Sequence, residues 1–158
     1  MPVNLFDQLI LFQDLETEQQ AVLKPLFVPC AFLTGDVIFE QGDPAEYLYL
    51  LLEGEIHVRF KPDDGPALIV ARVRPEGVAG WSAALGSPNY TSSAVCVEDC
   101  YLLRVRGKDL RELCEQYPET GALVLERLAV VIAKRLRNTY EQVITLLELG
   151  LQSCGREI

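Results

Sequence analysis

The stretch from Val28 to Val105 alternates short apolar runs with turn signals, and this pattern constrains the fold more than any other feature of the chain. The runs are rich in β-branched and aromatic residues, and they recur about every ten residues. Between them stand TGD, QGDPAE, EGE, KPDDGP and RPEG, which combine the residues that favour turns. Several short strands at this spacing predict a β-sandwich or barrel.

Three strands can be predicted individually. The segment YLYLLLEGEIHVRF, followed by PDDG and ALIVARVR, predicts two strands, a tight loop and a third strand. Gly35, Gly42 and Gly54 fall where turns need a positive φ or a close backbone approach.

Helical periodicity flanks the β-rich stretch on both sides. LETEQQAVLKPLF predicts a short amphipathic helix that ends near Pro25. After Gly107, KDLRELCEQY predicts a second short helix, and Pro118 interrupts the pattern. Residues 119 to 149 then predict a long helix that ends at Gly150.

The long helix carries one apolar stripe along its length. A helix of about 30 residues spans roughly 45 Å, which is longer than a small β-domain can cover. Its first turns can pack on their own domain, but the stripe from Leu136 onward needs another partner. We therefore predict a homodimer through Leu125, Leu128, Ile132, Leu136, Tyr140, Val143 and Leu147.

These patterns give one domain with an appended helix. In the 158-residue chain we expect residues 1–118 to form the β-domain with its N-terminal helix, residues 119–150 the dimerisation helix, and residues 151–158 a tail. The N-terminus has no basic region before its apolar residues, and no apolar run approaches the roughly 18 residues of a membrane span. A cytoplasmic protein without membrane contact is expected.

The net charge of −9 argues against nucleic-acid binding. Residues 119–158 contain five basic and five acidic residues, so the whole excess of acid lies on residues 1–118. Nucleic-acid affinity comes largely from Lys and Arg that neutralise phosphates. We expect no direct DNA binding, and we interpret AKRLR in the long helix as a solvated face.

No metal, cofactor or catalytic set is indicated. The five cysteines are an odd number without a CxxC pair, so we interpret them as reduced and mostly buried thiols. Cys96 and Cys100 have the spacing of possible metal ligands, but core thiols explain them better in a chain with a single histidine. We interpret His57 as a solvated strand residue whose only acidic neighbour is Glu55. An enzyme is not expected.

The stretch GVAGWSAALGSPNYTSSAV, from Gly77 to Val95, combines small residues, the only tryptophan and four consecutive hydroxyl-bearing residues. It contains no charged side chain. Trp81 either stacks on a ligand or plugs a pocket, and both alternatives stay open. The hydroxyl run also suits a half-buried strand.

A helix, a β-rich stretch with GDVIFEQGDPAEYLYLLLEGEIHV, the small-residue stretch, DLRELCEQYP and a long helix follow one another. This order resembles the cyclic nucleotide-binding domain of the catabolite activator protein (CRP/FNR-like) family, over roughly residues 5 to 145. The resemblance implies a mainly β fold with flanking helices. Its core is a double-stranded β-helix, a jelly-roll or cupin-like β-roll, followed by a long C-terminal helix.

In that family a phosphate-binding cassette opens with Gly-Glu and later supplies an arginine. The glutamate accepts the ribose 2′-hydroxyl, and the arginine pairs with the cyclic phosphate. Here Gly80 matches the glycine, Trp81 replaces the glutamate, and either Thr91 or Ser92 replaces the arginine. The resemblance thus implies a ligand site at Gly80, Trp81, Ser82, Ala83, Tyr90, Thr91, Ser92 and Ser93.

The missing charges weaken any cyclic-nucleotide site. Losing the arginine costs ~3–5 kcal/mol and losing the hydroxyl acceptor ~1–3 kcal/mol more. A micromolar site would become millimolar or weaker, at ~1.4 kcal/mol per tenfold change. Backbone N–H groups of Ser82 and Ala83 and the nearby hydroxyls suit a small anion or a neutral polar ligand instead. Arg72 and Arg74 are expected to be exposed.

Two functions follow from the sequence. The first is a stand-alone regulatory domain that senses a small molecule and signals through a helix-mediated dimer. The alternative is a ligand-free protein-interaction module. Transcription regulators of the family carry a helix-turn-helix domain after the long helix, and Ile158 leaves no room for one. The output is therefore expected to pass through the dimer or through a protein partner.

Overall fold

A computed structural model describes residues 9–84, 86–131, 133, 144, 147 and 148. The strands are β1 (Val28–Phe32), β2 (Val37–Phe39), β3 (Tyr47–Glu53), β4 (Ile56–Phe60), β5 (Leu68–Val73), β6 (Val78–Ala79), β7 (Ser93–Cys96) and β8 (Cys100–Arg106). The helices are α1 (Thr17–Leu23), α2 (Gly107–Gln116) and α3 (118–131), with 3₁₀ turns at Ile10–Phe12 and Lys24–Leu26.

The strands form two antiparallel four-stranded sheets. The first sheet has the order β1-β8-β3-β6, and the second has the order β2-β7-β4-β5. Neighbours in space are mostly distant in sequence, as in a Greek-key or jelly-roll arrangement. The predicted β-roll with flanking helices is confirmed, including the three successive strands β3, β4 and β5.

The predicted turn glycines have the backbone conformation that their positions require. Gly35, Gly42 and Gly54 have φ values of +90°, +92° and +100°. Gly54 is also tightly enclosed, because a Cβ there would lie 2.5 Å from the backbone oxygen of Asp99. Any side chain at Gly54 would therefore meet both backbone strain and a collision.

The molecule has two hydrophobic cores, one on each face of the first sheet. The inner core lies between the two sheets, where Leu51, Ile56 and Ala94 have no solvent exposure. The outer core lies between the first sheet and the helices, where Phe12 and Leu23 have no solvent exposure. Alternate residues of β3 and β8 contribute to each core, as expected for a sheet buried on both faces.

The helices follow the sequence pattern where they are described. Glu16 and Gln19 form a capping box at the start of α1, and α2 ends before Pro118 as predicted. Gly121 lets α3 approach α2, since a Cβ there would lie 2.6 Å from the Cα of Cys114.

The predicted dimerisation stripe divides into buried and exposed positions. Leu128 is buried in the outer core, and Leu125 and Leu147 are 52% and 59% exposed. Ile132, Leu136, Tyr140 and Val143 lie outside the described residues. The interface itself stays a prediction.

The cysteines and the histidine are largely enclosed. Cys30, Cys96, Cys100 and Cys114 are free thiols, and Cys96 and Cys100 are buried; Cys154 is not among the described residues. The expectation that His57 is solvated is wrong, because its side chain is only 15% exposed and contacts the Glu55 carboxylate at 3.2 Å. Among the described helices, none has the length and apolar character needed to cross a bilayer.

Candidate functional site

The candidate site begins where β6 ends at Ala79 and the chain turns at Gly80. Gly80 has a φ of +77°. A Cβ there would lie 2.8 Å from the backbone oxygen of Tyr47 and 3.1 Å from the Tyr90 ring. Only glycine fits this position without displacing β3 or the aromatic ring behind it.

Aromatic rings form the floor of the site. Phe39 and Tyr90 stack with ring centroids 3.8 Å apart. The Tyr90 hydroxyl donates to the backbone oxygen of Tyr47 at 2.6 Å and accepts from the Tyr47 N–H at 3.0 Å. Burial raises the pKa of Tyr90, so the phenol stays protonated and holds both bonds.

The cavity above this floor is small and carries no charge. The cavity has a volume of about 20 Å³, which is enough for one or two water molecules. Typical pockets for drug-sized ligands have about 300–1,000 Å³. Among the described residues, those that line it are all uncharged: Phe39, Val58, Gly80, Trp81, Ser82, Tyr90, Thr91 and Ser92.

Six of the predicted ligand-binding residues line this cavity, namely Gly80, Trp81, Ser82, Tyr90, Thr91 and Ser92. Ala83 and Ser93 do not. The Ala83 side chain is buried in the inner core, and the Ser93 hydroxyl accepts from the Gln41 N–H at 2.8 Å.

Sequence reasoning missed Phe39 and Val58. Both lie on strands that pair with β7 opposite Ala94, one residue beyond the hydroxyl run. Period-two alternation places them on the inner face of the second sheet. The alternation of hydrophobic residues in β2 and β4 was the signal in the sequence that could have identified them.

The backbone donors of the site are partly occupied. The Ala83 N–H donates to the Gly80 oxygen at 3.0 Å, and the Ala84 N–H donates to the Trp81 oxygen at 3.1 Å. Residues 81–84 form successive turns rather than a regular α-helix. The sequence led us to expect that the N–H groups of Ser82 and Ala83 could both bind an anion. The Ala83 N–H does not have this role, because it closes a turn with Gly80.

Neither neighbouring arginine replaces the missing charge. The side chain of Arg74 is 73% exposed, and its Nε is 3.5 Å from Oε1 of Glu55. Arg72 is exposed and stands opposite His57 in the pairing of β4 with β5. Neither residue lines the cavity, as the sequence led us to expect.

The turns of the site are clamped to α2. Arg111 donates from Nη1 to the Ala83 oxygen at 2.6 Å. Gly107, the first residue of α2, lies so close that a Cβ there would overlap the Ala83 carbonyl oxygen. Sequence reasoning missed this clamp, because nothing in the local pattern connects residue 83 with residues 107 and 111.

Comparisons with known proteins agree with this architecture. Residues 29–117, more than half of the chain, match the cyclic nucleotide-binding domain family. The cyclic AMP receptor protein of Thermus thermophilus is 31% identical over 81% of this chain and 57% of its own length. The chain thus spans less than two thirds of that relative.

Two solved structures share the fold. A cyclic nucleotide-binding domain from Methylobacillus flagellatus superposes with a TM-score of 0.77 at 22% identity, over 90% of this chain and 80% of that one. A regulatory subunit of a cAMP-independent protein kinase A from Trypanosoma brucei has a TM-score of 0.68 at 18% identity, over 92% of this chain and 50% of that one. That subunit is a triple mutant with an arginine in place of a threonine, bound to cAMP in its A site. With the family match over its β-roll, the chain belongs to the cyclic nucleotide-binding domain family.

Proposed function

We propose that this chain is a regulatory domain in which the family's ligand site binds a small, uncharged polar molecule rather than cAMP. The observation that supports this best is the cavity itself, whose lining combines hydroxyls and aromatic rings without a charged side chain. Hydroxyl groups and ring faces suit neutral polar ligands. A cyclic phosphate would be desolvated there without a guanidinium partner.

The size of the cavity argues against a bound nucleotide. A volume of about 20 Å³ excludes a nucleotide unless Trp81 moves, since Phe39 and Tyr90 already fill the space below. Trp81 is half-buried and packs at the edge of the outer core. A ligand that displaces Trp81 would therefore disturb the contact between the site and the helices.

The clamp provides a route from the site to the C-terminal helix. A ligand that moves the turn at Ala83 also moves its bond to Arg111 in α2. The close approach at Gly121 then transmits the motion of α2 to α3. We propose that the output is a rearrangement of α3 within a homodimer.

A paired substitution tests the proposal. In the natural protein we expect cAMP to bind no better than about millimolar, because both charged groups are absent. The double variant Trp81→Glu with Thr91→Arg should recover at least tenfold in affinity, and each single change should recover less. Calorimetry measures all four proteins, because the double variant lacks the only tryptophan.

Trp81→Glu with Ser92→Arg is measured in parallel, because Ser92 is the other candidate for the arginine position. Low micromolar binding of cAMP to the natural protein would refute the proposal. A folded double variant that binds no better than the natural protein would show that the site has been filled.

The second candidate is a ligand-free interaction module, and the small cavity volume favours it. Phe39, Tyr90 and Trp81 together act as side chains of the core in that case. Thermal-shift screening against nucleosides, small anions and neutral polar metabolites separates the two candidates. A bound ligand must raise the apparent stability by mass action, whereas the module would respond to none of them.

A further inference from the structure

One face of β8 becomes polar and exposed toward the C-terminal end of the strand. Leu102 and Arg104 lie two residues apart on β8 and share the face that points toward the inner core. Leu102 is buried in that core, whereas Arg104 is half-buried and Arg106, two residues further, is exposed. The inner face therefore changes from apolar core to a cationic surface within one strand.

Tyr47 organises this surface. The Arg104 guanidinium carbon lies 4.6 Å from the centroid of the Tyr47 ring, and that of Arg106 lies 5.8 Å from it. Both distances are within the range of cation–π contact. Val28 stands opposite Arg104 on β1 and is 48% exposed. We call Val28, Tyr47, Arg104 and Arg106 the arginine patch.

Neither arginine of the patch forms a close ion pair among the described residues. In the part of the chain that the structure describes, no carboxylate lies within 4.0 Å of either guanidinium. A hydrogen bond with the Tyr47 side chain raises the pKa of Arg106, with smaller contributions from Asp109 and Glu46. The patch is thus cationic on a protein whose net charge is −9.

We propose that the arginine patch is a docking surface for an acidic peptide segment of a protein partner. The planar guanidinium groups suit paired hydrogen bonds to carboxylates. Val28 and the Tyr47 ring add an apolar contact for a neighbouring side chain of the segment. A free anion would gain little at this surface, because exposed ion pairs alone are weak.

The patch also contacts the candidate ligand site, through Tyr47. The backbone N–H and oxygen of Tyr47 are both bonded to the Tyr90 hydroxyl, and Tyr90 lines the cavity. A change at the cavity that moves Tyr90 would therefore move the residue on which both arginines pack. Docking at the patch does not require a ligand in the cavity, so the two proposals can be tested separately.

Fluorescence anisotropy with a labelled peptide tests the docking surface. The probe is a short fluorescein-labelled peptide of glutamate-glutamate-leucine repeats, and its control has glutamine in place of each glutamate. At low salt we expect the acidic peptide to bind with a submillimolar Kd and the glutamine peptide to bind at least tenfold more weakly. Arg104→Gln should weaken binding of the acidic peptide at least fivefold, and Arg106→Gln should also weaken it.

Arg72→Gln is the matched control, because it removes the same charge from an exposed strand residue that is not part of the patch. It should change the Kd by less than twofold. Arg104→Lys keeps the charge but loses the planar group, so it should fall between the natural protein and Arg104→Gln. Thermal unfolding checks that each variant is folded. If Arg104→Gln does not fold, Arg106→Gln still tests the proposal, because Arg106 is exposed. Equal weakening by Arg72→Gln and the patch variants, or the absence of binding at millimolar peptide, would overturn the proposal.

Discussion

The clamp between the candidate site and α2 makes Gly107→Ala an informative perturbation. Alanine normally stabilises a helix relative to glycine, by up to ~1 kcal/mol. Gly107 does not have the positive φ that would forbid alanine. Here, however, the added Cβ would overlap the Ala83 carbonyl oxygen and lie 2.5 Å from its carbon. Helix propensity therefore predicts that Gly107→Ala raises the stability, whereas packing predicts that it lowers it.

The packing cost should exceed the gain in propensity. Real Cβ atoms essentially never approach a heavy atom more closely than 3.0 Å, so either α2 or the turn at Ala83 must move. Overpacking of this kind costs ~1–3 kcal/mol. The movement also strains the 2.6 Å bond from Arg111 to Ala83, whose loss costs about 1 kcal/mol at an exposed arginine. We expect Gly107→Ala to lower the free energy of unfolding by about 2 kcal/mol net.

Urea denaturation monitored by circular dichroism measures this change, and the emission of Trp81 reports on the site in the folded state. Gly65→Ala is the control, because Gly65 also lacks a positive φ and its nearest atom to an added Cβ is 3.4 Å away. That variant should stay within about 0.5 kcal/mol of the natural protein. If Gly107→Ala is as stable as the control and leaves the Trp81 emission unchanged, the clamp does not constrain the site.

Two further predictions concern the helix and the buried thiols. Leu125→Glu should convert the predicted dimer to a folded monomer of 17.7 kDa in sedimentation, since Leu125 is 52% exposed. Leu128→Ala should instead cost ~2–5 kcal/mol of stability, and a natural protein that is monomeric at high micromolar concentration would contradict the dimer. Burial, helped by the hydrogen bond with Cys100, raises the pKa of Cys96 to about 12 from 9.0. Stability should therefore be fully present below pH 9 and fall toward pH 12, because the unfolded chain loses this proton first. Urea titrations at several pH values measure how steeply the free energy of unfolding falls between pH 9 and pH 12, and Cys96→Ala should make this fall less steep. An unchanged pH dependence would assign the effect to other groups.

Much of the fold followed from local sequence because its signals are local. A turn glycine needs its φ whatever surrounds it, so Gly35, Gly42 and Gly54 could be placed without knowledge of the sheet. The strands β3 to β5 were predicted for a similar reason, since apolar runs bounded by turns have few other structures available.

The candidate site was predicted less completely. The resemblance to the family's cassette pointed to Gly80, Trp81 and Thr91, and all three line the cavity. Phe39 and Val58 reach the same cavity from strands far away in the sequence. His57 was expected in solvent, but the contact with Glu55 and the packing of the second sheet enclose it.

By itself, the sequence determined the class of fold and the absence of charged side chains from Gly77 to Val95, because both depend on residue identity and short-range conformation. Only the tertiary structure decided how much space remains at the candidate site, which residues hold it against α2, and where Arg104 and Arg106 meet Tyr47. Cavity volume and side-chain contacts depend on distances between segments that the chain order leaves free. Packing fixes those distances. The distances in turn decide whether the hydroxyl-bearing and aromatic residues at the candidate site enclose a pocket or fill it as part of the core.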